Sequence, residues 1–145
     1  MTVHLVKLCV GVSEPEELSA WQKRRWNEAK KAGRKPEYRH ITRNTPKRAE
    51  EILDGGSLYW VMKGVIRVRQ RIKAVEAIVW DGEPHCKLVL DRKLVRVTPR
   101  PMRAFQGWRY FTEDAAPPDL GKTSAGSVAA MPEPLRRELR DLGLL

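Results

Sequence analysis

The segment from Leu58 to Val79 constrains the fold more than any other part of the chain. Val61, Val65, Val68, Ile72, Val75 and Val79 recur at helical spacing, while Ile66, Val68, Gln70 and Ile72 alternate with Arg67, Arg69, Arg71 and Lys73 at strand spacing. The two periods conflict, because a helix and a strand sort side chains onto faces differently. Seven of the fifteen residues from Val65 to Val79 are Val or Ile. Their branched Cβ atoms crowd a helix and suit a pleated surface. Gly64 weakens a helix but marks a bend or bulge in a strand. The segment is therefore predicted to be strand, with Arg67 to Ile72 inside it.

The remaining elements follow from shorter signals. Val3 to Val12 reads as a buried strand. Ser13 as cap, Pro15 in the first turn and Glu16 completing a capping box open a helix. Leu18, Trp21, Trp26 and Ala29 form its expected inner face, and Gly33 stops it. Lys30, Lys31, Arg34 and Lys35 surround that end, where the helix dipole favours cations. Tyr38 to Thr42 is a short strand. Thr45-Pro46 opens a short helix with Ala49, Ile52 and Leu53 inward, and Asp54-Gly55-Gly56 closes it. Asp81-Gly82 is a turn, Cys86 to Leu90 and Leu94 to Thr98 are strands, and Pro99-Arg100-Pro101 is expected to break the ladder. The fold class is α+β: a mixed, barrel-like sheet with two helices packed on it. Residues 1–112 form one globular domain. Residues 113–145 form an extended tail with a short helix from Pro134 to Leu142.

Charge sets the partner classes. Between Ala20 and Tyr110 there are 23 Lys and Arg against 9 Asp and Glu, whereas the whole chain carries a net +10. Such a concentration suits a polyanion. The plainer alternative is a solvated surface. No run of 18 apolar residues is present, and the apolar start lacks a signal peptide's charged flank, so the expected compartment is the cytoplasm. Cys9 and Cys86 form no C-x-x-C pair and read as packing residues.

Two constellations carry chemistry. In a strand, Arg67, Arg69, Arg71 and Lys73 would share a face at about 6–7 Å intervals, close to the spacing of phosphates on a nucleic acid. The run Phe105-Gln106-Gly107-Trp108-Arg109-Tyr110-Phe111 places aromatics beside an arginine, as base stacking requires. Within it Arg109 and Tyr110 are the candidates for an exposed role, while Trp60 and Trp108 read either as core or as pocket walls. Arg34 joins the basic set from the helix end. Gly121-Lys122-Thr123 lacks the rest of a phosphate-binding loop. His4, His40 and His85 are scattered, and no metal, cofactor or catalytic pattern is found.

The stretches HLVKLCVGV, RNTPKRAEEILDGGSLYWVMKGVIRVRQRI, CKLVLD and PRPMRAFQGWRYF, taken together, resemble an uncharacterised bacterial family, domain of unknown function 1489. The resemblance spans about residues 3–120 and implies no activity and no site residues. The order of elements also resembles the PUA-like β-barrels, whose members often bind RNA or modified bases. The leading expectation is a nucleic-acid-binding module, with RNA favoured, using Arg67, Arg69, Arg71, Lys73, Arg34, Arg109 and Tyr110. An adaptor docking an acidic protein partner and a small enzyme on a nucleotide-like ligand stand as alternatives.

Overall fold

The computed structural model describes residues 2–103 and 105–120. The expected helix at 134–142 and the Gly121-Lys122-Thr123 segment lie outside the described residues. The elements run β1 (Val3–Leu8), α1 (Pro15–Lys31), β2 (Tyr38–Thr42), α2 (Ala49–Leu53), β3 (Ser57–Met62), β4 (Val65–Trp80), β5 (Glu83–Leu90), β6 (Val95–Pro101) and β7 (Trp108–Thr112).

The ambiguous segment is a strand, and it is the spine of the molecule. β4 pairs with β3 along its first half and with β5 along its second. β6 takes up the same side of β4 where β5 leaves it, so Trp80↔Glu83 to Ile72↔Leu90 is followed by Arg69↔Val95 to Val65↔Pro101. The path of the sheet is β2-β5-β4-β3-β1-β7, with β6 beside β4. Among the described strands only β1 and β3 pair in parallel; the other pairs are antiparallel. The architecture is thus the expected α+β with a mixed sheet, and the sheet stays open instead of closing into a barrel.

Both faces of this sheet are covered. On one, Leu5, Leu58, Trp60, Val68, Ile72 and Leu88 form a core with Leu18 of α1, Tyr38 of β2 and Ile52 of α2. On the other, Val6, Tyr59, Val61, Ile66, Val97 and Phe111 are covered by Met102, Phe105, Ala115 and Ala116. Residues just past Thr112 therefore fold back onto the sheet, and Val97 bridges to Asp119. The prolines expected to end the sixth strand lie within it. Among the described strands β6 pairs with β4 alone, its other side carrying the isolated Val97–Asp119 bridge, and a proline near a strand edge can turn its missing donor away from the ladder.

Helix α1 differs from expectation at two points. Glu14, not Ser13, is the N-cap, and no side-chain cap bond forms. At the other end Gly33 (φ 75°) does stop the helix. There Gly33 N–H donates to the Lys30 carbonyl and Arg34 N–H to the Ala29 carbonyl, a Schellman arrangement that sets the exit of Arg34. The buried stripe is Leu18 and Gln22, with Trp26 packed partly beneath, while Trp21 faces outward. A polar residue replaces the expected tryptophan because it has a partner inside. Gln70 of β4 is fully buried, and its amide exchanges two 2.9 Å hydrogen bonds with the Gln22 amide. Gln70 Oε1 also accepts from Trp60 Nε1–H, and its Nε2–H donates to the Asp91 carbonyl.

Removing one member should orphan the others. Gln70→Leu is expected to lower stability by about 2–4 kcal/mol in urea unfolding, since it strands the Trp60 indole and the Gln22 amide. The double variant Gln22→Leu/Gln70→Leu should cost less than the sum of the single changes, the signature of a shared bond.

Candidate functional site

The alternating cations of β4 do not form one row. Trp60 pairs with Val68 and Val61 with Ile66, which leaves Arg67 unopposed at a β-bulge. A bulge shifts the phase of the side chains. Ile66 accordingly packs in one core and Val68 in the other. Arg67 is buried and meets Glu14 at 3.4 Å, near the start of α1. Arg69 forks onto both carboxylate oxygens of Asp119 at 2.7 and 2.8 Å and donates to Ser57 Oγ. A second irregularity falls at Lys73, between Ile72 and Ala74. Arg71 and Lys73 are the two of the four that remain exposed.

The aromatic run is also divided. Trp60 is core. Trp108 is half-buried and donates its Nε1–H to the Asn44 carbonyl at 2.8 Å. Tyr110 is exposed, and its hydroxyl accepts from the Arg48 backbone N–H. Arg109 lies over the ring of Phe105 at 4.7 Å. Both sit on β7, apart from Arg34 at the far end of α1.

A different set of residues converges along β2, which pairs only with β5 among the described residues and so has a free edge. Two adjoining hollows of about 220 and 290 Å³ run there between β2 and α1, sharing Trp21, Arg25 and Arg39. One extends to Arg34, Lys35 and Tyr38, the other to His40, Ile41, Arg43, Trp80 and His85. Trp21 is 42% exposed and Trp80 46%. Each indole carries an arginine over its face, Arg25 at 4.9 Å from Trp21 and Arg39 at 5.9 Å from Trp80. Arg25 and Trp21 are one helical turn apart on α1, which is why they stack. Glu28 and Glu37 are the acids of this groove, and Glu37 is engaged by Lys87 at 2.8 Å. Of the residues expected from sequence, Arg34 alone lines it.

The groove opens toward a seam where the ends of the sheet approach. The loop after β2 meets β7 through the Asn44–Trp108 and Arg48–Tyr110 hydrogen bonds. The His40 ring stands edge-on to Trp60 at 5.1 Å, and its Nε2 is buried with no hydrogen-bond partner among the described residues. Burial, helped by the Lys7 cation, pushes its pKa down to about 4. Lys7, on β1, sits in register between Trp60 and Trp108, and burial lowers its pKa as well.

Trp21 and Trp80 escaped the sequence reading for separate reasons. Trp21 falls within the arc of an amphipathic helix, and only the Gln22–Gln70 bond reveals that the buried stripe is rotated. Trp80 adjoins the Asp81-Gly82 turn, a signal that an apolar residue there stands at a hairpin tip. Among the described residues no cluster of His, Cys, Asp or Glu could hold a metal ion, and no helix is long and apolar enough to cross a membrane. A family model described as a protein of unknown function, DUF1489, matches residues 5–145. No curated protein matches the chain, and no solved structure does.

The half-buried His40 ring has a pH consequence. Its folded pKa, about 4, lies below the ordinary 6.5, so the unfolded chain binds the proton more readily. The stability this contributes is complete above about pH 6.5 and is lost as pH falls toward 4. Urea unfolding at several pH values should show that loss, and His40→Gln should reduce it. His4, also lowered by burial, will retain part of the slope.

Proposed function

The chain belongs to the DUF1489 family, whose description assigns no activity, and from its own geometry we propose that it binds single-stranded nucleic acid, RNA in particular, in the groove between α1 and β2. One observation carries the reading: two exposed tryptophans, each with an arginine over its face, line the same basic groove. Exposed indoles are costly in water, and they stack on unpaired bases of any identity. A base in a duplex has both faces covered by its neighbours, which favours a single strand. Arg25, Arg34, Lys35, Arg39 and Arg43 supply cations along the track, against Glu28 and Glu37. RNA is favoured because unstacked loops and ends are where proteins commonly read it.

This reading moves the expected contacts. Arg67 and Arg69 serve the fold through Glu14 and Asp119, while Arg71 and Lys73 are not among the groove residues. A second reading draws on the free edge of β2: an acidic peptide could add there as a further strand.

Fluorescence anisotropy with a single-stranded oligonucleotide at several salt concentrations tests the proposal. Three to five phosphate contacts predict a slope of log affinity against log salt of about −2 to −3.5. Trp21→Ala and Trp80→Ala should each weaken binding by about 1–3 kcal/mol with little change of slope. Arg25→Gln/Arg39→Gln should reduce the slope, whereas Arg71→Gln/Lys73→Gln should leave it nearly intact. Loss of slope in the second pair instead of the first would return the contacts to β4. Binding of an acidic peptide but of no oligonucleotide would favour the strand-addition reading.

A further inference from the structure

Two polar groups at the seam are left unanswered by the surrounding chain. Lys7 is half-buried, and no carboxylate lies within ion-pair distance of it among the described residues. An ammonium withdrawn from water without a counter-ion is unfavourable. His40 Nε2 is buried without a partner. His40 is on the edge strand β2 and Lys7 on β1, one strand in from the opposite edge, and the two flank one residue: Lys7 is opposite Trp60 in register, and the His40 ring contacts Trp60. The Lys7 charge adds to burial in lowering the His40 pKa. His40, Thr42 and Arg43 line the groove, so the seam adjoins it through His40.

We propose that Lys7 and His40 form the blind end of this groove and bind a phosphate monoester, either the terminal phosphate of a strand or that of a mononucleotide. The inference extends the groove reading and has its own readout. A phosphate supplies what the seam lacks: negative charge for the Lys7 ammonium and an oxygen acceptor for a His40 Nε2–H. A base carbonyl would supply the acceptor but not the charge. The Trp108–Asn44 and Tyr110–Arg48 bonds span the seam, so a strand entering here ends here instead of running through. A terminal monoester also carries more charge than an internal diester, which suits a half-buried cation.

The test compares oligonucleotides of one sequence ending in 5′-phosphate, 3′-phosphate or hydroxyl groups, with adenosine monophosphate and inorganic phosphate as small probes. Anisotropy reads strand affinity, and the indole N–H resonances of Trp60 and Trp108 report on the seam. One phosphorylated end is expected to bind about tenfold tighter than the hydroxyl end, the scale of a charge-assisted contact. Lys7→Gln should erase that difference without weakening the hydroxyl-ended strand, and Lys7→Arg should restore part of it. Should Lys7→Gln fail to fold, His40→Asn makes the same comparison. If small phosphates shift the Trp60 indole while no strand binds, the site stands and the groove reading falls. If strands bind equally whatever their ends, and phosphate leaves Trp60 unmoved, the inference is overturned and the groove reading stands.

Discussion

One side-chain amide, that of Gln70, joins helix α1 to the sheet from inside the core. It sits fully buried on β4, bonds to Gln22 of α1 and Trp60 of β3, and reaches the Asp91 carbonyl between β5 and β6. Apolar packing is non-directional and would tolerate a helix rotated or slid by a fraction of a turn. An amide making four hydrogen bonds to three partners does not, because each lost bond leaves a buried polar group unsatisfied. This bond is therefore what fixes the rotation of α1. With Gln22 turned inward, Trp21 and Arg25 are carried to the outer side, and the groove acquires one of its walls.

The other wall follows from the irregularity of β4. A regular strand of sixteen residues would hold all its arginines on one face. The bulge at Arg67 divides them between two faces, each of which already has an acid in place. Arg69 is the more firmly held, with a bidentate carboxylate and the Ser57 hydroxyl. Its bond to Asp119 pins residues 113–120 across the second core. Past the second irregularity the strand continues beside β5 to an exposed hairpin, which carries Trp80 to the rim of the groove. Cations and aromatics next to one another in sequence are thereby separated, and distant ones are assembled.

An open sheet also has consequences for its ends. In a closed barrel, the edges of β2 and of the β1–β7 end would pair with each other. Among the described residues the loop bonds to Trp108 and Tyr110 link them, with α1 alongside. His40 on the edge strand β2, and Lys7 on β1 one strand in from the other edge, are left at the margin of the core. They are neither solvated freely nor matched internally, and burial lowers the pKa of both.

Local chemistry was legible in the sequence wherever one signal dominated. The β-branched residues of 65–79 made a strand, Gly33 ended the first helix, and Tyr38 to Thr42 kept its predicted limits. The excess of cations, too, belongs to composition and needs no fold. What the sequence could not express was phase. A bulge costs one residue and leaves no mark in an alternating pattern, yet it reverses the face of every side chain beyond it. The inner stripe of α1 was likewise undecided until Gln70 offered Gln22 a partner 48 residues away. Which arginines are spent on Glu14 and Asp119, and which stand over Trp21 and Trp80, was decided only by tertiary contacts. A charge is neutralised by what lies near it in space, and sequence spacing reports that distance only within a single regular element.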